Sequence, residues 1–192
     1  MRMAHVWHQI FGFGNDPKQT YPAAELHQRL SAHSLGPFDN LLQRITLAPH
    51  ISRYQNYVQS RPEKDGVKPN ENLARELMQL FTIGVNELND DGSNKLDAQG
   101  HVIAAYTQAD IELLARVLTG FGYPIKPGGT PNFWQTWSFN GDMVPYQEYH
   151  DKDVKTMFSG KVQFAANQDA MTELKAALRM LVNHSNTPAF IS

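Results

Sequence analysis

The chain has 192 residues, 41% hydrophobic and 19% charged, enough for one domain with a real core and incompatible with wholesale disorder. Its formal net charge of −2 supplies no basic field for a phosphate backbone, which argues against a nucleic-acid partner. It has no cysteine, so a disulfide framework, a thiolate zinc site and a cysteine nucleophile are excluded.

Residues 3–11 place Met3, Val6, Trp7, Ile10 and Phe11 at helical spacing, and the Gly12, Gly14, Asn15, Asp16, Pro17 cluster ends that helix. Two histidines and a glutamine interrupt this stretch, so it lacks the apolar core of a signal peptide. A second helix is expected over 22–32 with Leu26 and Leu30 on one face. After the Gly36-Pro37 break, a third runs to about residue 47 with Phe38, Leu41, Leu42 and Ile45. Pro49 suits the first turn of a short fourth helix reaching about residue 57. Residues 60–69 read as an exposed loop.

Residues 70–83 form the most distinctive helix. Leu73, Leu77, Leu80 and Phe81 make an apolar stripe, while Glu71 and Arg75 are four apart with the acid first, the favourable order for a helical ion pair. Asn70 can cap it, and Glu71 suits the first turn. Glu76 sits on the flank of the stripe, where a half-buried carboxylate needs a partner or a raised pKa. A structural ion pair with a basic residue of another helix would satisfy it equally well.

The polar stretch from Asn89 to Gly100 lies between Val85 and Leu88 on one side and Val102 and Ile103 on the other, which predicts a β-hairpin or long turn. Glu87, Asn89, Asp91 and Gly92 match the first half of a calcium loop. Ala98 stands where the bidentate acid belongs, so the motif fails. The next helix has a capping box, Thr107 with Asp110, and ends at Gly120. Residues 121–165 are irregular, with loops and two short strands expected. A long helix over 168–183, capped by Asn167, directs Met171, Leu174, Leu178, Leu181 and Val182 inward. Asn186, Thr187 and Pro188 read as a cap and the start of one more helix. The uncapped beginning and this ending predict that both termini are cuts and that residues 1–192 are one partial domain.

Several long motifs stand in a familiar order. PNENLARELMQLFTIG (69–84) resembles the hallmark of a large bacterial family, domain-of-unknown-function family 1800. FDNLLQRITLAPH (38–50), YTQADI (106–111) with LARVLTG (114–120), His150-Asp151 with Lys155, and HSNTPAFI (184–191) resemble its other segments. The resemblance implies a longer helical protein that is exported and is encoded beside a second, sulfatase-like protein with which it works. It implies no reaction.

Chemistry is sought first at His150, Asp151 and Lys155. A His and a carboxylate can ligate a divalent metal or exchange protons, and a nearby Lys can hold an anion. Adjacent residues share one site only in a turn, and a polar loop with an ion pair is the structural alternative. A composite site would add Glu76, Arg75, Asp110 and His184, carboxylates and histidines of the kind that hold hard or borderline metals in helical proteins. Asp110 is explained more economically as a cap. The aromatic stretch FWQTWSFN (133–140) offers Trp134 and Trp137 for binding, or as plugs of a core under a loop. The expected fold is therefore mainly α, an irregular or orthogonal multi-helix bundle with a small β-hairpin or irregular insertion. Two functions remain open: an exported binding or assembly protein acting with a partner, or a hydrolase-type enzyme with a carboxylate–histidine site assisted by a divalent metal.

Overall fold

The computed structural model describes residues 2–11, 20–135 and 138–191. Its helices are α1 (Arg2–Ile10), α2 (Thr20–His33), α3 (Phe38–Thr46), α4 (Pro49–Tyr54), α5 (Asn72–Gln79), α6 (Gln108–Val117), α7 (Ala170–Val182) and α8 (Thr187–Ile191). Two antiparallel pairs complete it: β1 (Phe121–Gly122) with β2 (Val144–Pro145), and β3 (Lys155–Met157) with β4 (Val162–Phe164). The protein is mainly α with small β insertions. Among the described residues, no helix is long and apolar enough to cross a membrane.

Helix α3 buries Leu41, Leu42 and Ile45 against α2 and α7, and α6 bridges α5 and α7. One apolar cluster runs through all of these, from Ala4 and Leu26 to Leu73, Leu77, Leu114, Leu174 and Leu181. Burial of each such leucine contributes roughly 1.5–3 kcal/mol. Tyr57 lies inside this cluster and donates its hydroxyl to the Thr46 carbonyl, since a buried phenol O–H needs an acceptor. Burial pushes its pKa far up.

The structure corrects three boundaries. Helix α5 is only eight residues long and stops at Gln79. The Ile83 and Gly84 amides both turn back to the Met78 carbonyl, with Gly84 at φ 77°. This closing turn rotates Leu80 outward, where it is 44% exposed, and Met78 takes the buried place instead. At the other end of α5, Asn70 does accept the Asn72 amide, at 2.9 Å. Helix α4 ends at Tyr54 rather than continuing to Tyr57. Helix α7 is capped by Asp169, whose carboxylate accepts the Thr172 amide at 3.0 Å, while Asn167 sits before it at φ 61°.

Residues 85–105 fold as two successive tight turns. Bridges join Leu88 to Asn94, Leu96 to Val102 and Asn86 to Ala104. Asp91 and Asp97 each accept backbone amides within their own turn, at 2.9 Å. Side chains used up in this way explain why the half-formed calcium pattern is turn chemistry.

Candidate functional site

Helix α6 ends at Val117 and is followed by Thr119 and Gly120, and the chain returns beside this end after the 3₁₀ turn Gln147–Tyr149. Two sequence features make this crossing close. Gly120 has φ 83°, and a Cβ there would lie 2.9 Å from the His150 backbone. The Thr119 hydroxyl accepts the Asp151 amide at 2.8 Å, while its carbonyl accepts from His150 Nδ1 at 2.9 Å. A carbonyl only accepts, so Nδ1 carries the proton. The turn thus puts His150 and Asp151 into one cluster, which two consecutive strand residues could not achieve.

The cluster is inward-facing. His150, Asp151 and Lys155 are all buried, and Glu173 of α7 joins them from the opposite side. Lys155 Nζ lies 3.0 Å from both Glu173 oxygens and donates to the Asp151 and Asp153 carbonyls at 2.8 and 3.1 Å. The Arg116 fork holds Asp151 through Nε and Nη2 at 2.8 and 3.0 Å. Burial pushes the Asp151 carboxyl up, but the Arg116 fork, the Asp153 amide and the Lys155 charge together outweigh it, so its pKa is lowered. His150 Nε2 comes within 2.9 Å of Glu173 Oε2, and no hydrogen bond joins the two atoms. The Asp151 and Glu173 carboxylates are both engaged by cations already present, an arrangement that ties α6, α7 and β3 together. The outer edge of the Arg116–Asp151 pair borders an open cleft of about 350 Å³ whose other charged lining includes Glu63, Lys68, Glu71 and Glu112.

Arg116, Thr119 and Glu173 were not anticipated. Glu173 carried a legible signal: it shares a helical stripe with Ala170 and Ala177, next to Leu174, where a carboxylate must find a cation.

The remaining sequence candidates lie elsewhere. Arg75 pairs with Glu71 at 3.1 Å, and Gln108 bridges both, tying α5 to the start of α6. Glu76 is half-buried, and among the described residues its carboxylate has neither hydrogen bond nor ion pair. Desolvation raises its pKa against the opposing charge of Arg75. The expected structural ion pair with another helix is therefore absent among the described residues.

His184 lines a different pocket, of about 490 Å³, with Tyr106, Asp110, Phe158 and Lys161. Asp110 completes the capping box with Thr107 and also accepts the Phe158 amide at 2.6 Å. The His184 pKa is lowered, chiefly by burial, with Glu87 opposing the shift and Lys161 and Lys95 adding to it. Glu76 and His150 line neither wall of this pocket, so the composite constellation is divided among separate places. Among the described residues, no group of three or more His, Asp or Glu side chains is arranged to hold a metal ion.

The aromatic stretch serves two ends. Phe133 is buried and stacks on Tyr149 at 4.0 Å, with Tyr146 edge-on at 5.5 Å. Trp134, by contrast, is 49% exposed, with the Arg61 guanidinium 5.3 Å from its ring centre. Trp137 lies outside the described residues. Beside Trp134 is a depression of about 330 Å³ lined by amides (Asn56, Gln59, Asn70), the Ser60 hydroxyl and two cations, Arg61 and Lys68, and by no acid among the described residues.

One family model matches residues 1–192, the whole chain, and is described as protein of unknown function (DUF1800). No curated protein and no solved structure matches the chain.

Proposed function

We propose, from the premise that this chain belongs to the DUF1800 family, that it is the binding or assembly part of an exported bacterial protein, with Trp134 at the centre of its partner surface. The observation that carries this reading is the setting of Trp134. Half of a large ring faces outward, yet it is held by Phe133 and Tyr149 beneath and Arg61 above. A rigid exposed Trp loses little entropy on binding, and Trp and Arg are the residues that most often dominate interface energetics.

Charge selects the occupant. Among the described residues the depression beside Trp134 carries Arg61 and Lys68 and no carboxylate, and Lys68 is held only loosely by Glu112 at 3.8 Å. It complements a protein segment bearing acidic side chains. The family resemblance supplies the partner to test, the sulfatase-like protein encoded alongside. Nucleic acid is disfavoured as the occupant by the net charge of −2.

The test is calorimetric titration of the purified full-length protein with that co-encoded partner. Binding is expected, weakened about thirtyfold by Trp134→Ala and by a similar factor in Arg61→Glu, the scale of a hot-spot residue. No association, or association indifferent to both variants, overturns the reading. The alternative is a hydrolase-type enzyme with a carboxylate–histidine, metal-assisted site. Stoichiometric divalent metal in the full-length protein, retained by Trp134→Ala and lost in His150→Ala, would replace the binding reading with that one.

A further inference from the structure

The pocket that holds His184 is independent of the Trp134 surface and has a chemistry of its own. At about 490 Å³ it falls within the size range of small-molecule sites. One wall is apolar, formed by Phe158, Val162 and Met180. Two donors border it. The Asn186 amide donates to His184 Nδ1 at 3.2 Å, so the ring proton of the neutral imidazole resides on Nε2. No described residue accepts that proton. Lys161 is exposed, and no described carboxylate lies within ion-pair distance of its ammonium.

Phe158 supplies a second, separate observation. It begins the turn between β3 and β4, whose last rung pairs Met157 with Val162. Phe158 and Ser159 take φ 51° and 54°, and Gly160 follows at 92°. Turns of this hand favour Gly, Asn or Asp at such positions, because a side chain crowds the backbone there. A bulky aromatic residue is out of place on turn grounds alone. Two contacts hold it: the Asp110 carboxylate accepts its amide at 2.6 Å, and its ring lies 5.4 Å from the His184 ring. The strained residue is thus the one that sets an aromatic face beside the free imidazole donor. Glu87 also lines the pocket and is paired only at 3.8 Å with Lys95. Its charge disfavours multiply charged anions such as phosphate.

We propose that this pocket binds a small monocarboxylate with an apolar or aromatic body, its carboxylate between Lys161 Nζ and His184 Nε2 and its body against Phe158, Val162 and Met180. A free acid and the C-terminal residue of a peptide share this chemistry.

The experiment is a heteronuclear NMR titration of the whole chain with 3-phenylpropionate, 3-phenylpropionamide and inorganic phosphate. Saturable shifts centred on residues 158–162 and 183–184 are expected with 3-phenylpropionate. The amide and phosphate are expected to bind at least about tenfold more weakly, the loss that follows from one charge-assisted hydrogen bond or from the apolar contact. Lys161→Met, at an exposed position that leaves the fold intact, is expected to weaken 3-phenylpropionate about tenfold, as is His184→Gln, while Trp134→Ala leaves it unchanged. A short peptide ending in Phe, compared with its C-terminal amide, separates the two sources: tighter binding than 3-phenylpropionate assigns a chain end, weaker binding a free acid. The proposal is overturned by the absence of saturable shifts at these residues up to about 20 mM ligand, far weaker than a ligand of this size reaches in a fitted site. Equal binding of acid and amide, or indifference to Lys161→Met, overturns it as well. None of these outcomes depends on whether Trp134 meets a partner.

Discussion

Lys155 and Glu173 are each 1% exposed, and each is the nearest compensation for the other's charge. Removing one partner of such a pair leaves an uncompensated ion inside the protein, whereas replacing both with apolar groups removes the desolvation cost as well. Lys155→Met is therefore expected to destabilise the chain by about 3–5 kcal/mol in urea unfolding. The double variant Lys155→Met with Glu173→Leu should recover most of that loss. A double variant no better than the single one would contradict a bracing role. Glu76 is the opposite case. Its fold environment favours the protonated form, so its ionisation works against the folded state at neutral pH. Glu76→Gln should raise the urea midpoint at about pH 7 and leave it little changed at about pH 4, near the ordinary carboxylate value.

At the scale of elements, the turn that closes α5 meets α8 at a glycine. Gly84 has φ 77°, and a Cβ built on it would lie 2.4 Å from the Phe190 ring. Asn186 fastens the same junction, donating to the Ile83 and Asn86 carbonyls at 2.8 and 2.6 Å and accepting the Leu88 amide at 2.7 Å. Gly84→Ala should cost about 2–4 kcal/mol, from the left-handed backbone and the displaced ring together. In proton-exchange measurements, protection should fall first in α8 and in residues 85–88. The last residues of the 69–84 motif thus have a packing reason: the helix must stop at Gln79 so that the chain can turn under α8.

For the whole molecule, acid stability is a sum of shifts of opposite sign. The His184 pKa is lowered from 6.5, so its contribution is complete above that value and is lost as pH falls from 6.5 through the folded value. The Asp151 pKa is lowered from 3.8, so its contribution is present above 3.8 and is lost below it, as pH falls through the depressed value. Glu76, raised from 4.5, acts in the opposite direction: stability is gained as pH falls through its folded value toward 4.5. Urea midpoints should accordingly decline in two stages on acidification, one beginning near pH 6.5 and one below pH 3.8. His184→Gln should abolish the first stage alone. A first stage that survives this variant would locate its origin elsewhere.

The sequence by itself determined the helical class, the family, the capping box at Thr107 and Asp110, and the inward faces of α3 and α7. Those features depend on periodicity and on neighbours within four residues, which any chain displays locally. The Glu71–Arg75 pair was legible for the same reason. Only the tertiary structure decided where the charges meet. Glu173 lies 18 residues from Lys155, and Arg116 lies 35 from Asp151. No local rule links them until α6, α7 and the loop at His150 are packed together. Leu80 turned outward because a long-range contact, Phe190 against Gly84, favours the closing turn over another turn of helix. The division of the candidates between a buried His150 cluster and an open His184 pocket was settled in the same way. Desolvation and partner choice belong to the packed molecule, and a sequence motif records only which side chains are available.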